Sequence, residues 1–303
     1  MVYIDENILL RRWQKTDAEV LTNIANNYNI AKNLSNQYPY PYSLKDARKF
    51  INEVCNLYPI SVFAIVYNGR VAGSGYIFHK DIWEKNIELG YWIAEEYWGK
   101  GIMTKIVNGM IDYAFQNFNI NRIFAKVFGN NIGSQKVCEK AGMKKEAVLE
   151  KALFKNGKYY DEIIYSIQRN QPFKNYLDIF NKTKYYFSTN KGSTEIFINK
   201  KNPKIDSQIQ DTKGWALLTA FNPLPEILIE KVNKKRNKLL KNDLINLNLS
   251  FYDAYSTLEN WKEKGFLIKN LTLSEACELG KKYGQAAIIY SFKNNQAELV
   301  FLM

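Results

Sequence analysis

The chain has 303 residues and a formal net charge of +12, from 42 lysines and arginines against 30 aspartates and glutamates. This length predicts two domains. No run approaches the roughly 20 apolar residues that span a bilayer. The N-terminal MVYIDENILLRR carries acids where a signal peptide is basic and then apolar, so we expect a cytoplasmic protein without a membrane segment. Three scattered cysteines and one histidine, without a CxxC pair, predict neither a disulfide framework nor a metal site.

The basic excess is spread along the chain and is not held in one tail. Such a charge favours anionic partners, for example nucleic acid or the ribosome. A solvated, lysine-rich surface explains it equally well, because lysine and asparagine are plentiful throughout the sequence.

The first half alternates strand and helix patterns. Thr16 and Glu19 have the spacing of a capping box and predict a helix from residue 17 to about 27. Ser43 caps a second helix, and Asn68-Gly69 suits the type I′ turn of a hairpin. We predict strands at 8–12, 62–67, 71–78, 87–93, 122–127, 144–152 and 159–168, and helices at 17–27, 44–56, 102–118 and 132–141. The fold class is α/β (α+β), a mixed sheet with helices on both faces.

Residues 170–175, with Pro172, form the predicted joint between a domain at 1–170 and a second at 171–303. The second is predicted as a smaller α+β domain. Its strands are expected near 185–188, 194–199, 215–221, 247–254, 266–270, 286–292 and 297–302, and its helices at about 225–241 and 274–283.

The segment from Glu88 to Ala114 combines a predicted strand, a turn and a helix. The turn contains Gly99 and Gly101, and a helix that starts there leaves several backbone N–H groups unpaired and pointing the same way. The helix dipole adds about half a positive charge, and the missing side chains let a phosphate reach the amides. The pattern predicts an anion site, although glycines also serve ordinary tight turns.

Four segments appear in order: ELGYWI at 88–93, YWGKGIMT at 97–104, NNIGSQKVCEKAGM at 130–143 and NGKYYDEIIYSI at 156–167. Together they resemble the GNAT family of acetyl-CoA-dependent N-acetyltransferases, in particular the branch of ribosomal-protein N-terminal acetyltransferases. The resemblance covers residues 8–169 and implies the GNAT fold. It also implies acetyl-CoA as co-substrate, with no metal.

The resemblance implies a cofactor site along the predicted strand and turn. Glu96 stands where the family usually has Gln or Arg, which removes a donor or charge but leaves the backbone amides in place. The implied cofactor-binding residues are Tyr91, Trp92, Ile93, Trp98, Gly99, Lys100, Gly101, Ile102, Met103, Thr104, Asn131 and Ser134.

The implied catalytic residues are Glu88 and Ser134. Glu88 would take a proton from the incoming ammonium, because an amine attacks only with a free lone pair; it could otherwise be a paired surface glutamate. Ser134 would protonate the departing thiolate. Many family members use a tyrosine four residues later for this step, but this chain has Cys138 there, so Ser134 is the remaining candidate. Ser134 could also bond the backbone at a helix start, and Asn131 could cap that helix or bind the pantetheine chain.

The favoured function is acetylation of a primary amine, most of all a protein N-terminal α-amine. Alternatives are a small-molecule amine such as an aminoglycoside or polyamine, an aminoacyl-tRNA, or a non-catalytic acyl-CoA-binding regulatory module. Residues 28–42, which end in YPYPY, would wall the acceptor site or form a surface loop. The expected partners are the amine acceptor and, through the positive charge, the ribosome or RNA. The sequence does not decide whether the protein forms oligomers.

The second half resembles a bacterial domain family of unknown function through WALLTAFNP at 215–223, EKVNKKR at 230–236 and KKYGQAAIIY at 281–290. This resemblance implies no activity. Asn233 and Arg236 face alike on a helix, and with Glu263 and Gln285 they could converge on a pocket. We favour their being structural polar groups.

Overall fold

The computed structural model describes residues 1–57, 60–81, 85–170, 176–190, 192–209, 212, 214–222 and 228–302, without the side chains of 79–81. The chain divides into two compact units. The first unit is Ile4–Asn175, and the second unit is Met1–Tyr3 with Tyr176–Met303. The predicted division instead assigns residues 1–3 to the first domain. Residues 171–175 of the predicted joint lie outside the described residues.

The first unit is a mixed sheet with the strand order β2-β3-β4-β5-β6-β8-β7. Its neighbours pair antiparallel except β5 and β6, which are parallel. The prediction of a mixed sheet with helices is confirmed. The strands are β2 (Ile8–Arg11), β3 (Val62–Tyr67), β4 (Arg70–Asp81), β5 (Asn86–Ile93), β6 (Arg122–Phe128), β7 (Lys144–Lys155) and β8 (Lys158–Gln168). The helices are α1 (Ala18–Ala25), α2 (Tyr28–Ala31), α3 (Leu44–Val54), α4 (Ile102–Asn117) and α5 (Ile132–Lys140).

Helices cover both faces of this sheet, because successive side chains of a strand point to opposite faces. In β3, Val62 and Ala64 belong to a buried cluster with residues of α1 and α3. Phe63, between them, meets Tyr113 of α4 edge to face, with 5.5 Å between ring centroids. The core of the first unit therefore has two layers, one on each side of the sheet.

The predicted capping box at Thr16 and Glu19 is wrong. The box lies two residues earlier, at Gln14 and Asp17, and α1 begins at Ala18. Asp17 is drawn into this position because its carboxylate accepts bonds from the Arg11 guanidinium at 2.7 and 2.9 Å and from the Gln14 N–H at 2.8 Å.

The second unit is built on a sheet with the strand order β10-β9-β12-β13-β11-β14-β15-β1. Strand β1 (Val2–Asp5) begins in this unit, and its Val2 and Tyr3 pair parallel with β15. The other strands are β9 (Lys184–Thr189), β10 (Gly192–Ile196), β11 (Gly214–Thr219), β12 (Phe251–Leu258), β13 (Trp261–Lys269), β14 (Ala287–Phe292) and β15 (Glu298–Leu302). The helices are α6 (Tyr176–Lys182), α7 (Pro203–Gln208), α8 (Glu230–Asn246) and α9 (Leu273–Lys282).

Helix α8 corrects the predicted boundaries in the second unit. It ends at Asn246, five residues beyond the prediction, and Asn248 with φ 53° stops it. Strand β12 consequently starts at Phe251, later than the predicted residue 247. The predicted helix start at 225 lies outside the described residues. Helices α6 and α7 and strand β1 were not predicted.

The polar residues singled out in the second half do come together. Asn233 and Asn222 exchange two hydrogen bonds, and Asn222 also donates to Glu263 at 2.8 Å. Arg236 donates to the carbonyls of Ala220 and Tyr283. These contacts fit the favoured prediction of structural polar groups.

Candidate active site

A cleft opens where the parallel strands β5 and β6 separate. Their pairing runs from Asn86 and Arg122 to Glu88 and Phe124, whereas both strands continue beyond it. Residues 89–93 of β5 and 125–128 of β6 then line a cleft of about 1920 Å³. Glu88 sits at the point where the strands part, so the sheet itself places this carboxylate at the base of the cleft.

Most of the predicted site residues line this cleft. From β5 they are Glu88, Tyr91, Trp92 and Ile93. From the turn and the start of α4 they are Trp98, Gly99, Gly101, Ile102, Met103 and Thr104. Asn131 and Ser134 line it from α5. Lys100 is not among the described lining residues, and its Nζ lies 5.8 Å from the centroid of the Tyr97 ring.

The turn before α4 has the shape of an anion cradle. Gly99 and Gly101 have φ values of +72° and +76°, which side-chain-bearing residues rarely adopt. Gly101 is the N-cap of α4, and no side chain caps the helix there. A Cβ built on either glycine meets nothing within 4 Å. The first N–H groups of α4 therefore face open space at the positive end of the helix dipole.

The indole of Trp98 ties this turn to the end of β5. Its Nε1 donates to the carbonyl of Ile93 at 2.8 Å. Just before it, the Glu95 carboxylate accepts from the amides of Asn27 at 2.8 Å and Asn29 at 3.0 Å, and these bonds lower the pKa of Glu95. The segment that leads into the cradle is thus fixed by contacts outside helix α4.

Asn131 and Ser134 form the start of α5. Asn131 is the N-cap, and its Oδ1 accepts from the N–H of Ser134 at 3.2 Å. The capping role considered for Asn131 is therefore seen in the structure. The Ser134 backbone is held by this cap, while its hydroxyl remains available to a different partner.

That partner is the phenol of Tyr91. The Tyr91 oxygen lies 3.0 Å from Ser134 Oγ and 3.3 Å from Cys138 Sγ. Burial raises the pKa of Tyr91 well above its usual value. Sequence reasoning placed Tyr91 only among cofactor-binding residues and missed this contact. The signal that could have found it is Cys138, whose small side chain leaves room for a ring from another element.

The opposite side of β5 faces an aromatic wall. Trp92 donates from Nε1 to the Tyr76 hydroxyl at 3.2 Å, and Tyr38 meets Trp92 edge to face at 6.3 Å. Tyr42 and Phe50 complete the wall, and all five side chains line the cleft. Part of segment 28–42 is therefore a cleft wall.

A buried lysine is bonded to the segment that leads into this wall. Lys155, 8% exposed, donates from Nζ to the carbonyls of Ala31 at 2.6 Å, Ser35 at 3.4 Å and Leu34. Desolvation lowers the pKa of Lys155. The end of β7 is thereby fastened to the segment that follows α2.

Comparison with known proteins agrees with this geometry. Residues 7–144 match the acetyltransferase (GNAT) domain family, and residues 218–288 match the family described as protein of unknown function (DUF3293). Among curated relatives, the putative ribosomal N-acetyltransferase YdaF of Bacillus subtilis is 32% identical over 35% of this chain and 58% of its own length. The chain spans about half the length of the first curated relatives that it matches.

Solved structures show the same fold. The microcin C7 self-immunity acetyltransferase MccE, in complex with acetyl-CoA and AMP, is 27% identical with a TM-score of 0.51, covering 55% of this chain and 94% of MccE. The ribosomal-protein-S5-alanine acetyltransferase of Vibrio fischeri is 25% identical with a TM-score of 0.50, covering 55% of this chain and 97% of its own.

No helix in the described ranges combines the length and apolarity needed to cross a bilayer.

The separated strands, the glycine turn before α4 and the matched family agree: the chain carries an acetyltransferase (GNAT) domain, followed by a separate DUF3293 domain.

Proposed function

We propose that this protein is an acetyl-CoA-dependent N-acetyltransferase that modifies a primary amine. One observation carries the proposal: the uncapped start of α4 opens directly into the cleft between β5 and β6. A helix start of this kind binds a phosphate through its N–H groups. Lys136 and Lys140 of α5 line the same cleft and add positive charge for an anionic ligand.

The residues present fit acetyl-CoA. Gly99 and Gly101 leave the space that a diphosphate needs, and Asn131, capping α5 from the cleft wall, lies where a pantetheine amide could be bound. When bound, acetyl-CoA supplies the activated acetyl thioester. The departure at Glu96 does not remove these contacts, because they come from backbone groups.

In this proposal, Glu88 is the general base. An ammonium must lose a proton before its nitrogen can attack a carbonyl, and a carboxylate at the base of the cleft can accept that proton directly or through water. The aromatic wall on the same side of β5 would hold the acceptor.

The resemblance implies that Ser134 protonates the departing thiolate. We propose that it donates a hydrogen bond to that sulfur instead, because a serine hydroxyl is a much weaker acid than a thiol. Its hydroxyl is on the cleft wall at the first turn of α5, across from the strand that carries Glu88. Glu88 thus acts on the attacking amine and Ser134 on the departing sulfur. The acetyl group passes directly between them, and no covalent enzyme intermediate is needed.

The favoured acceptor is a protein N-terminal α-amine. YdaF is named a putative ribosomal N-acetyltransferase and the Vibrio fischeri protein a ribosomal-protein-S5-alanine acetyltransferase, and both names support a ribosomal acceptor. The name of MccE, a microcin self-immunity acetyltransferase, supports the small-molecule alternative. An aminoacyl-tRNA remains a further alternative acceptor, and a regulatory acyl-CoA-binding module remains the alternative of another class.

The test is a thiol-release assay with acetyl-CoA and a panel of amines, run beside an acetyl-CoA titration. The panel holds N-terminal peptides of ribosomal proteins, polyamines, aminoglycosides and an aminoacyl-tRNA. Turnover with one acceptor class supports the enzyme and names its acceptor. Binding without turnover would favour the regulatory module, and absence of acetyl-CoA binding would overturn both.

Helix α8 favours an additional contact with RNA, such as that of the ribosome. Lys231, Lys234, Lys235, Lys238 and Lys241 are exposed and recur at helical spacing on the face away from its buried residues. Lys234 pairs with Glu230 at 2.7 Å, and both are exposed. A row of lysines can follow a phosphate backbone without reading sequence. The DUF3293 domain would then dock the enzyme near its acceptor.

A further inference from the structure

The hydroxyl of Ser134 contacts a phenol that comes from outside its own helix. The Tyr91 phenol reaches it from β5 across 43 positions of sequence, with 3.0 Å between the two oxygens. The helix position one turn after Ser134 holds the buried Cys138, whose sulfur lies 3.3 Å from the same phenol. Strand β5 thus places the Tyr91 phenol beside Ser134, where helix α5 itself offers only the Cys138 thiol.

The phenol hydrogen has three acceptors within reach. These are Ser134 Oγ at 3.0 Å, the Ser134 carbonyl at 3.3 Å and Cys138 Sγ at 3.3 Å. The Ser134 carbonyl is also an acceptor within helix α5, and sulfur is a weak acceptor. Ser134 Oγ is therefore the favoured acceptor of the Tyr91 hydrogen.

We propose that Tyr91 is a positioning residue that acts through Ser134: its phenol donates to Ser134 Oγ and thereby directs the serine hydrogen toward the departing sulfur. This inference rests on the proposed acetyl transfer. A serine oxygen that already accepts one hydrogen bond keeps its own hydrogen for another acceptor. Tyr91 of strand β5 therefore sets the direction of the hydrogen bond that Ser134 of helix α5 donates.

The chemistry balances without a proton leaving Tyr91. As the carbon–sulfur bond breaks, its electron pair goes to sulfur, and the serine hydrogen bond stabilises the charge. The ammonium first loses one proton to Glu88, and the free amine then forms the carbon–nitrogen bond to the acetyl carbon. The nitrogen loses its second proton as the carbon–sulfur bond breaks, and water carries that proton to the free thiolate. Burial raises the pKa of Tyr91, so the phenol stays neutral and a donor over the ordinary working range.

The test is a double-mutant cycle with Tyr91→Phe, Ser134→Ala and the combined variant, in the full-length protein. We expect Tyr91→Phe to lower kcat about three- to tenfold, as the loss of one hydrogen bond does, with KM for acetyl-CoA within twofold. Because Tyr91 acts through Ser134, the combined variant should be no slower than Ser134→Ala alone.

Tyr165→Phe is the matched control. Its phenol also bonds α5, but through Glu139 at 2.9 Å and not through Ser134. We expect kcat within twofold of the unaltered protein. A loss equal to that of Tyr91→Phe would show that tyrosines merely anchor the helix and would overturn the proposal, as would losses that multiply in the combined variant.

A second measurement serves if Tyr91→Phe does not fold. Replacing Tyr91 by 3-fluorotyrosine keeps the shape and makes the phenol more acidic. If the phenol donates to Ser134 Oγ, this stronger donor should raise kcat where Ser134 is present and leave the kcat of Ser134→Ala unchanged. An unchanged kcat, or an equal change in both backgrounds, would contradict the proposal. Absence of turnover in the unaltered protein would instead refute the proposed function, and this inference with it.

Discussion

Glu88 is the proposed base of the transfer, and it lies where strands β5 and β6 part. If it is the base, Glu88→Gln should lower kcat by about two orders of magnitude or more, the usual contribution of a positioned base. Acetyl-CoA affinity should change little. Thiol release measures the first quantity and calorimetric titration the second. Glu150→Gln, on the exposed part of β7, is the control; equal losses in both variants would reject the role.

Lys155 is a charged group enclosed by carbonyls. Lys155→Met should lower the free energy of unfolding by about 1–3 kcal/mol, because buried carbonyls lose a donor. It should also raise KM for the acceptor, since the segment that Lys155 bonds leads into Tyr38 of the aromatic wall. Denaturant unfolding and acceptor kinetics measure the two effects. Lys158→Met, exposed in the same hairpin, should leave both unchanged.

The Lys155 contact also gives a pH dependence with a definite sign. Its pKa is lowered in the folded protein by desolvation, so the unfolded chain binds its proton more tightly. Relative to Lys155→Met, the stability of the unaltered protein should therefore rise as pH rises from the folded pKa toward the unfolded value. A relative stability that falls in that window would contradict the assignment of a buried ammonium.

At the scale of elements, the start of α4 is the proposed binding site for the diphosphate of acetyl-CoA. Gly101→Ala should weaken acetyl-CoA binding at least tenfold, because its Cβ projects into the open space that the diphosphate would fill. Gly69→Ala in the β3–β4 turn is a matched control: Gly69 has a φ of +75° and equally open surroundings. Both variants should lose similar stability, about 1 kcal/mol from the left-handed backbone. Full acetyl-CoA binding by Gly101→Ala would refute the cradle.

Helix α8 carries the proposal of an RNA contact. Changing Lys231, Lys235 and Lys238 together to Gln should weaken binding of a labelled RNA. It should also reduce the slope of log affinity against log salt concentration by about three at most. Fluorescence anisotropy at several salt concentrations measures both. The control changes Lys144, Lys145 and Lys151, three exposed lysines of β7. Equal effects of the two sets would show general charge attraction only.

At the scale of the whole molecule, the second unit contains the first three residues of the chain. Val2 and Tyr3 are 0% and 3% exposed, and the Tyr3 hydroxyl bonds Ser274 and Glu278 at 3.0 Å each. Tyr3→Ala should destabilise this unit by about 3 kcal/mol, as large-to-small changes in cores do. Hydrogen exchange in β15 and α9 should report it, while Glu6→Ala should not change that exchange. Unchanged protection in Tyr3→Ala would contradict the assignment.

The sequence by itself determined what depends on neighbouring residues. Gly99 and Gly101 predicted the turn before α4 because a positive φ is a local requirement. Alternation and helical spacing predicted most strands and helices of the first unit. The boundary errors at α1 and α8 also have local causes, in Asp17 and Asn248, but several residue types compete for a cap and only the folded chain selects one.

Tertiary structure alone decided the contacts between distant residues. The Met1 amine donates to the carbonyl of Leu299, 298 positions away, and Tyr91 meets Ser134 across 43. The carbonyls that surround Lys155 belong to a segment more than a hundred positions earlier. No local pattern encodes such pairs, because they follow from how strands pair and helices pack. The sequence thus determined the residue types of the site, and the fold decided which of their side chains touch.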